Sequence, residues 1–212
     1  MDAAPHPTAY VVDDDEAIRT LWRWLMESNG IAVRTFATAV EFIESYDPGA
    51  PGCLVLDLRL PGMSGLELQE HLKNKGVEIP IVFVTAHGDV ATAVTAIKGG
   101  AIDFIQKPFS YREVLSVIRQ ALQRDAEIRG QRARRSLVAG RLATLTERER
   151  EVLHRVIDGM QNKLIAAELD ISVKTVEYHR AKVMEKMAVA SVAELVQLIL
   201  GFSLMDAPGR GG

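Results

Sequence analysis

The sequence predicts a doubly wound α/β domain on a five-stranded parallel sheet, followed by an all-α domain of four helices. Two observations predict this division. Short apolar runs alternate with helical patterns through the first half of the chain without hairpin signals, whereas only helical periods follow. A chain of 212 residues with 48% apolar content is also long enough for one or two domains with real cores.

Each predicted strand of the first domain is followed by a predicted helix. The first helix shows the pattern well, because five apolar residues recur at helical spacing on one face: Ile18, Leu21, Trp22, Leu25 and Met26. The strands are predicted at 8–12, 31–36, 53–57, 80–84 and 102–106. The helices are predicted at 15–28, 38–46, 64–75, 89–98 and 110–128.

A linker is predicted between the two domains. The last helix of the first domain loses its apolar stripe after Ile128, and residues 130–135 have no core-facing side. The arginines between Arg119 and Arg141 are interpreted as a solvated helix face that runs into this linker. The predicted boundaries are 8–123 for the first domain, 124–141 for a basic, partly helical and exposed linker, and 142–204 for the second domain.

Capping signals define the helices of the second domain. Thr146 and Glu149 have the spacing of a capping box, and Ser191 with Glu194 repeats it before a last helix that ends near Phe202. Between them, a short helix at 163–169 leads to Ser172, which can cap a helix at 173–187. A short helix, a tight turn and a second helix predict a helix-turn-helix. The tail at 207–212 is predicted to be disordered.

Polar side chains follow four predicted strands of the first domain. The acids Asp13, Asp14 and Asp15 follow the first strand, Asp57 the third, Thr85 the fourth and Lys107 the fifth. Singly, these residues are typical of turns and helix caps. Together they lie at the carboxyl ends of parallel strands, which line one edge of a sheet. The combination suits a phosphoryl group that arrives on Asp57 beside a divalent cation.

Both domains resemble known families. Residues 8–122 resemble the receiver domain of bacterial two-component response regulators, and residues 142–203 resemble the LuxR/NarL/FixJ-type DNA-binding domain. The first resemblance rests on Val12–Asp14, Asp57–Gly65, Thr85–Asp89 and Asp103–Phe109. The second rests on Leu145–Glu149, Asn162–Ala166, Ile171–Ser172, Thr175–Val176 and His179–Arg180.

The receiver resemblance implies a role for each polar residue at the sheet edge. Asp57 would accept a phosphoryl group from a sensor histidine kinase, Thr85 and Lys107 would stabilise it, and Phe104 would be an aromatic switch. A Mg²⁺ ion would be held by Asp13 or Asp14, or both, with Asp57 and the backbone carbonyl of Arg59. His87 is interpreted as a loop residue and Asp15 as the cap of the first helix.

An enzyme with a nucleophilic aspartate is the main alternative. Phosphohydrolases of the haloacid dehalogenase type place a second Asp two residues after the nucleophile as a general acid, and Arg59 occupies that position here. We therefore expect a regulator and not an enzyme. A receiver that works through protein contacts alone is opposed by the complete helix-turn-helix.

The helix at 173–187 has the pattern of a recognition helix. Val176, Val183 and Met187 fall in one arc that faces the bundle. The residues expected to face DNA are Lys174, Thr175, Glu177, Tyr178, Ala181 and Lys182, and Lys163 on the preceding helix is expected to contact phosphate. Without the surrounding motifs, this stripe would be interpreted as a solvated helix face.

The resemblance also implies the partners. They are promoter DNA, RNA polymerase and a second copy of the chain, which would bind through the helix after Asp89 and the strand at 102–106. The overall charge of −3 gives no hint of nucleic acid. Cys53 is the one cysteine and suits a reducing compartment, and no signal peptide or membrane helix is predicted. A cytoplasmic location is expected.

Overall fold

The computed structural model describes residues 6–206, with side chains to residue 202. In this range five parallel strands form one sheet in the order β2-β1-β3-β4-β5. The tail at 207–212, predicted to be disordered, lies outside this range. The strands are β1 (Thr8–Val12), β2 (Ala32–Phe36), β3 (Gly52–Leu56), β4 (Ile81–Thr85) and β5 (Asp103–Gln106).

The strand order places the ends of β1 and β3 side by side. β1 pairs with β2 on one side and β3 on the other, and Val12 lies opposite Leu56. The order of strands reverses at this point, so a crevice opens beyond their carboxyl ends. Asp13 and Asp57 are the next residues of the two strands and therefore stand next to each other.

Helices cover both faces of the sheet, and the predicted α/β class is confirmed. They are α1 (Glu16–Glu27), α2 (Ala39–Ser45), α3 (Gly65–Asn74), α4 (Val90–Lys98) and α5 (Tyr111–Ala143). One core lies between the sheet and α1 with α5, and the other lies under α2, α3 and α4. α1 buries Trp22, Leu25 and Met26, and Asp15 caps it by accepting from the backbone N–H groups of Ala17 and Ile18.

α5 continues without a break through the segment predicted to be a partly helical, exposed linker. Two positions in that segment are buried, Asp125 and Val138, each 2% exposed, and Ile128, Arg129 and Arg141 are half-buried. The Asp125 carboxylate accepts from the Gly52 backbone N–H at 2.9 Å and from the Arg129 guanidinium at 2.8 Å. Arg129 also donates to backbone carbonyls of the loop before β3, at Pro48, Gly49 and Ala50. The described residues divide into two compact units, one that ends at Arg129 and one that begins at Gly130.

Four further helices build the second unit, as predicted: α6 (Glu147–Ile157), α7 (Asn162–Leu169), α8 (Val173–Met187) and α9 (Val192–Asp206). The capping box of Thr146 and Glu149 is formed, and Ser172 caps α8. At α9, Ser191 accepts from the Glu194 N–H, but the Glu194 carboxylate accepts from Ala190 instead of Ser191. In that capping box the Glu194 side chain therefore accepts from the residue before the N-cap and not from the N-cap residue itself.

One apolar core holds the second unit together. It comprises the core-facing side chains of α6, α7, α8 and α9 with Val138 and Leu145, and residues Val176, Val183 and Met187 of α8 are all buried in it. None of the described helices is both long enough and apolar enough to cross a membrane.

Candidate functional site

Asp57 lies directly after β3, in the crevice at the carboxyl edge of the sheet, and is 9% exposed. Its Oδ1 atom accepts from the Thr85 hydroxyl at 2.8 Å and from the Arg59 backbone N–H at 3.1 Å. Its Oδ2 atom accepts from the Lys107 ammonium at 3.0 Å. The strands thus bring the predicted residues Asp57, Thr85 and Lys107 into direct contact.

The Lys107 ammonium is shared between two carboxylates. Its Nζ atom lies 2.7 Å from Asp13 Oδ2 and 3.0 Å from Asp57 Oδ2. Asp13 is 3% exposed, so one cation balances two largely buried anions. The centre of the site has an excess of negative charge that a further cation would relieve.

The pKa shifts of Asp13 and Lys107 reflect this imbalance. Burial raises the pKa of Asp13, and its bonds with Lys107 and the Asp15 N–H only partly offset that rise. Burial alone would lower the pKa of Lys107, but its hydrogen bonds to Asp13 and Asp57 outweigh burial and raise the pKa. Lys107 is therefore held as a fixed positive charge, while Asp13 pays a desolvation cost that its shared cation does not remove.

The other predicted metal ligands lie around this pair. Asp14 is exposed, and its backbone carbonyl accepts from Arg19 at 2.8 Å. Among the described side chains, of residues 6–202, no three acidic, histidine or cysteine groups gather as a metal-binding cluster. Mg²⁺ can be bound through one or two carboxylates with waters and substrate oxygens. Asp13 and Asp57 supply hard oxygen ligands and surplus negative charge, so these residues fit such an ion.

Phe104, the predicted switch, is half-buried on β5, and its ring centroid lies 6.1 Å from that of Phe83. A Cβ atom at Gly88 would lie 2.5 Å from two atoms of the Phe104 ring. The ring therefore occupies space that only glycine leaves free at position 88. His87, interpreted as a loop residue, is exposed, and its backbone N–H donates to the Thr85 hydroxyl at 3.2 Å.

α4 presents apolar side chains to solvent. Val90, Val94 and Ile97 are 82%, 45% and 46% exposed, whereas Ala96 is the buried residue of this helix. The buried side chain of Gln69 on α3 donates to the Ala96 carbonyl at 3.0 Å. One side of α4 thus packs against its own domain, and the opposite side of this helix is an exposed apolar surface.

α8 exposes the face predicted to read DNA. Lys174, Glu177, Tyr178 and Ala181 are exposed, and so is Lys163 on α7. Thr175 and Lys182 are half-buried: the Thr175 hydroxyl lies 2.8 Å from that of Ser172, and Lys182 pairs with Glu185 at 2.7 Å. The structure separates this surface from the core stripe of α8, as the helical period predicts.

Polar contacts that sequence reasoning missed hold α8 in place. Lys186 pairs with the buried Glu149 at 2.6 Å, and Arg141 donates to the Met187 carbonyl at 2.9 Å. Bonding to Lys186 lowers the pKa of Glu149. The sequence did offer one signal, because the carboxylate of a capping-box glutamate can also accept from a cation; here Glu149 Oε2 accepts from both the Thr146 N–H and Lys186.

A doubly wound domain with an acidic edge, joined to a helix-turn-helix domain, defines the class of two-component response regulators. Two family models match the chain. Residues 9–119 match the response regulator receiver domain, and residues 143–199 match the bacterial regulatory proteins of the luxR family.

Characterised relatives match nearly the whole chain. The transcriptional regulatory protein FixJ of Azorhizobium caulinodans is 44% identical over 191 residues, which cover 90% of each chain. The response regulator protein TodT of Pseudomonas putida is 43% identical over 89% of this chain and 83% of its own.

Solved structures agree with this match. The response regulator StyR is 47% identical with a TM-score of 0.86, covering 92% of this chain and 98% of that one. Full-length FixJ from B. japonicum is 40% identical with a TM-score of 0.58, covering 94% and 98%. The chain belongs to the response regulator family, with a receiver domain followed by a LuxR-type helix-turn-helix domain.

Proposed function

We propose that this protein is a transcriptional regulator that binds promoter DNA when a sensor histidine kinase has phosphorylated Asp57. The observation that carries the proposal is the contact of Asp57 with both the Thr85 hydroxyl and the Lys107 ammonium. A site that accepts a phosphoryl group needs a nucleophile, with a hydrogen-bond donor and a cation next to that nucleophile. In this proposal a phosphohistidine of the kinase donates the phosphoryl group and its imidazole is the leaving group, while Thr85 and Lys107 of the regulator position and neutralise the group on Asp57.

Charge compensation explains how Asp57 could accept an anionic group. Lys107 would stay bonded to Asp13 and turn its remaining donors towards a phosphoryl oxygen, because an ammonium carries three donors. The Thr85 hydroxyl, now 2.8 Å from Asp57 Oδ1, would donate to another phosphoryl oxygen.

Mg²⁺ fits the surplus negative charge of the site. Asp13, Asp57 and the backbone carbonyl of Arg59 would hold it, and Asp14 would have to turn its exposed side chain inward to join them. When bound, the ion would neutralise charge between the acceptor carboxylate and the incoming phosphoryl group.

Replacing Asp13 should weaken Mg²⁺ binding. Trp22 is buried and stacks on Phe109 at 5.4 Å, two residues after Lys107, so its fluorescence can report on this site. In a Trp24→Phe background, which removes the exposed tryptophan, we expect Asp13→Asn to lower Mg²⁺ affinity by roughly tenfold because a charged ligand is lost. Asp15→Asn is the control, since the Asp15 side chain caps α1 and its backbone N–H, which donates to Asp13, is kept in the variant. Equal titration curves for the Asp13 variant and its parent would place the ion elsewhere.

The signal would reach the α4–β5 surface through residues that contact the acceptor. A movement of Thr85 towards a phosphoryl group would open space for the Phe104 ring, which now packs over Gly88. The exposed side chains of Val90, Val94 and Ile97 lie on the adjacent helix and would pair with those of a second copy. Phosphorylation would thereby favour a homodimer.

A dimer would bring two α8 helices to two half-sites in promoter DNA, where the protein would act on RNA polymerase in the cytoplasm. Glu177 can accept from cytosine N4, and Lys174 and Lys182 can contact guanine or phosphate. Thr175, Tyr178 and Ala181 complete the surface, and Lys163 would contact phosphate from α7.

Replacing Lys163 and Glu177 should have different effects on DNA binding. Lys163→Ala should weaken binding to all sequences equally and reduce the salt slope by roughly one unit, because it removes a phosphate contact. Glu177→Ala should cost about 1–3 kcal/mol at one base pair and relax the preference there. Selections on randomised DNA sites would measure the change in preference, and binding titrations at several salt concentrations would measure the salt slope. An unchanged preferred site for Glu177→Ala would show that this residue is only a surface charge.

Footprinting on genomic DNA, with and without acetyl phosphate and Mg²⁺, tests the whole proposal. We expect discrete protected sites, in paired half-sites, that appear at a lower protein concentration after phosphorylation. Protection that is absent in both conditions, or identical in both, would contradict a phosphorylation-dependent DNA-binding function.

A further inference from the structure

One polar contact joins the two helices of the helix-turn-helix directly. Asn162 is the first residue of α7, and its side-chain Oδ1 atom accepts from the Arg180 guanidinium of α8 at 2.5 Å. Both residues are half-buried. They lie 18 residues apart in sequence, so the contact fixes tertiary geometry and not a local turn.

Arg180 lies at the edge of the core stripe of α8, and its guanidinium is bonded to Asn162. It comes four residues after Val176 and three before Val183, and residues at these spacings share one side of a helix. Val176 and Val183 are buried, whereas Tyr178 is exposed on the opposite side and the exposed Glu177 lies between them. The Arg180 side chain therefore extends from the edge of α8 to Asn162 at the start of α7.

Stability of α7 does not explain this contact. Gln161, at the N-cap position, makes no side-chain capping bond, and among the described residues the only polar partner of the Arg180 side chain is the neutral amide of Asn162. A cation beside the first turn of a helix is unfavourable, because the free backbone N–H groups there carry partial positive charge. The bond to Asn162 is charge-assisted and offsets this repulsion, so the contact holds the start of α7 against α8 and does not serve α7 alone.

We propose that Arg180, acting through Asn162, is a positioning residue for sequence recognition. It sets the distance and angle between the start of α7, where Lys163 follows Asn162, and the exposed face of α8, where Lys174 and Glu177 lie. This inference rests on the proposed DNA-binding function. A phosphate contact from α7 and base contacts from α8 must form at the same time, so recognition depends on how precisely the two helices are held.

The test measures binding of the phosphorylated full-length protein to a footprinted site and to random DNA, over a range of salt concentrations. We expect Arg180→Ala and Asn162→Ala each to lower the ratio of specific to non-specific affinity by roughly tenfold. The double variant should be no worse than either single variant, because both remove the same contact. Asn162→Asp, which keeps an acceptor oxygen, should retain the ratio. The salt slope should stay unchanged in Asn162→Ala and Arg180→Ala.

Arg155→Ala is the matched control. Arg155 joins α6 to α7 through Glu168 at 2.9 Å, so its loss removes an arginine contact of the same domain without touching α8. We expect its specificity ratio to match the wild type. Thermal unfolding of each variant would confirm that the helical domain is folded.

Three results would overturn the inference. A salt slope that falls by about one unit in Arg180→Ala, with Asn162→Ala unaffected, would make Arg180 a phosphate contact. Additive losses in the double variant would show two independent roles. Unchanged ratios in both single variants would leave the contact without a role in recognition. A wild-type protein that prefers no site would instead contradict the proposed function itself.

Discussion

Asp57→Asn should abolish phosphorylation of this protein by acetyl phosphate and Mg²⁺, whereas the wild type should gain one phosphoryl group. The amide keeps the size of the side chain and its bond from Thr85 but lacks the nucleophilic carboxylate. Intact-mass measurement before and after treatment with hydroxylamine, which cleaves acyl phosphates, would detect the group. This effect should be all-or-none because, among the described residues, Asp57 is the carboxylate that contacts both Thr85 and Lys107, whereas Asp13 contacts Lys107 without Thr85.

Asp15→Asn is the matched control for that experiment. Asp15 belongs to the same acidic run as Asp13, but its carboxylate caps α1 through the N–H groups of Ala17 and Ile18. It should be phosphorylated as the wild type is. Equal phosphorylation of the Asp57 and Asp15 variants would show that Asp57 is not the acceptor.

Gly65→Ala should destabilise the receiver domain and slow its phosphorylation. A Cβ atom at Gly65 would lie 2.3 Å from the backbone carbonyl oxygen of Asp57 and 3.0 Å from the Phe83 ring. The backbone cannot easily move away, because the Gly65 N–H donates to Leu58 at 2.9 Å and Ser64 caps α3 immediately before it. Overpacking of this kind costs about 1–3 kcal/mol of the free energy of unfolding.

Denaturant unfolding followed by tryptophan fluorescence would measure this loss. Both tryptophans of the chain, Trp22 and Trp24, lie on α1, so the signal reports on the receiver domain alone. Gly130→Ala is the control, because a Cβ atom there meets nothing within 4 Å and alanine favours a helix by roughly 0.5–1 kcal/mol. A Gly65 variant that unfolds at the wild-type denaturant concentration would show that the loop accommodates the methyl group.

The sheet and the acidic edge could be predicted because each depends on a local pattern. Buried parallel strands are short apolar runs, and the residue after each run is placed at the edge by topology alone. Asp57, Thr85 and Lys107 therefore meet as predicted. The fold class and the family were likewise predicted and are confirmed. The metal ligands and the DNA contacts stay predictions.

Contacts between distant side chains could not be predicted. An arginine in a charged helix, such as Arg129 or Arg180, has the same local sequence whether it is solvated or bonded to a distant loop or helix. The shared bonding of Lys107 to two aspartates also depends on three strands at once. The full length of α5 was missed for a related reason, because a helix with few apolar residues lacks the periodic stripe by which helices are recognised.

The bonds of Asp125 and Arg129 determine where an isolated receiver fragment can end. A fragment cut at residue 119, where the family match stops, would lack both side chains. The Gly52 N–H would lose its bond to the Asp125 carboxylate, which is 2% exposed. The loop at 48–50 would lose the Arg129 guanidinium that donates to its backbone carbonyls. Each lost bond to a charged group is worth about 1.5–3 kcal/mol. Fragments prepared for crystallisation or kinase assays should therefore extend through Arg129.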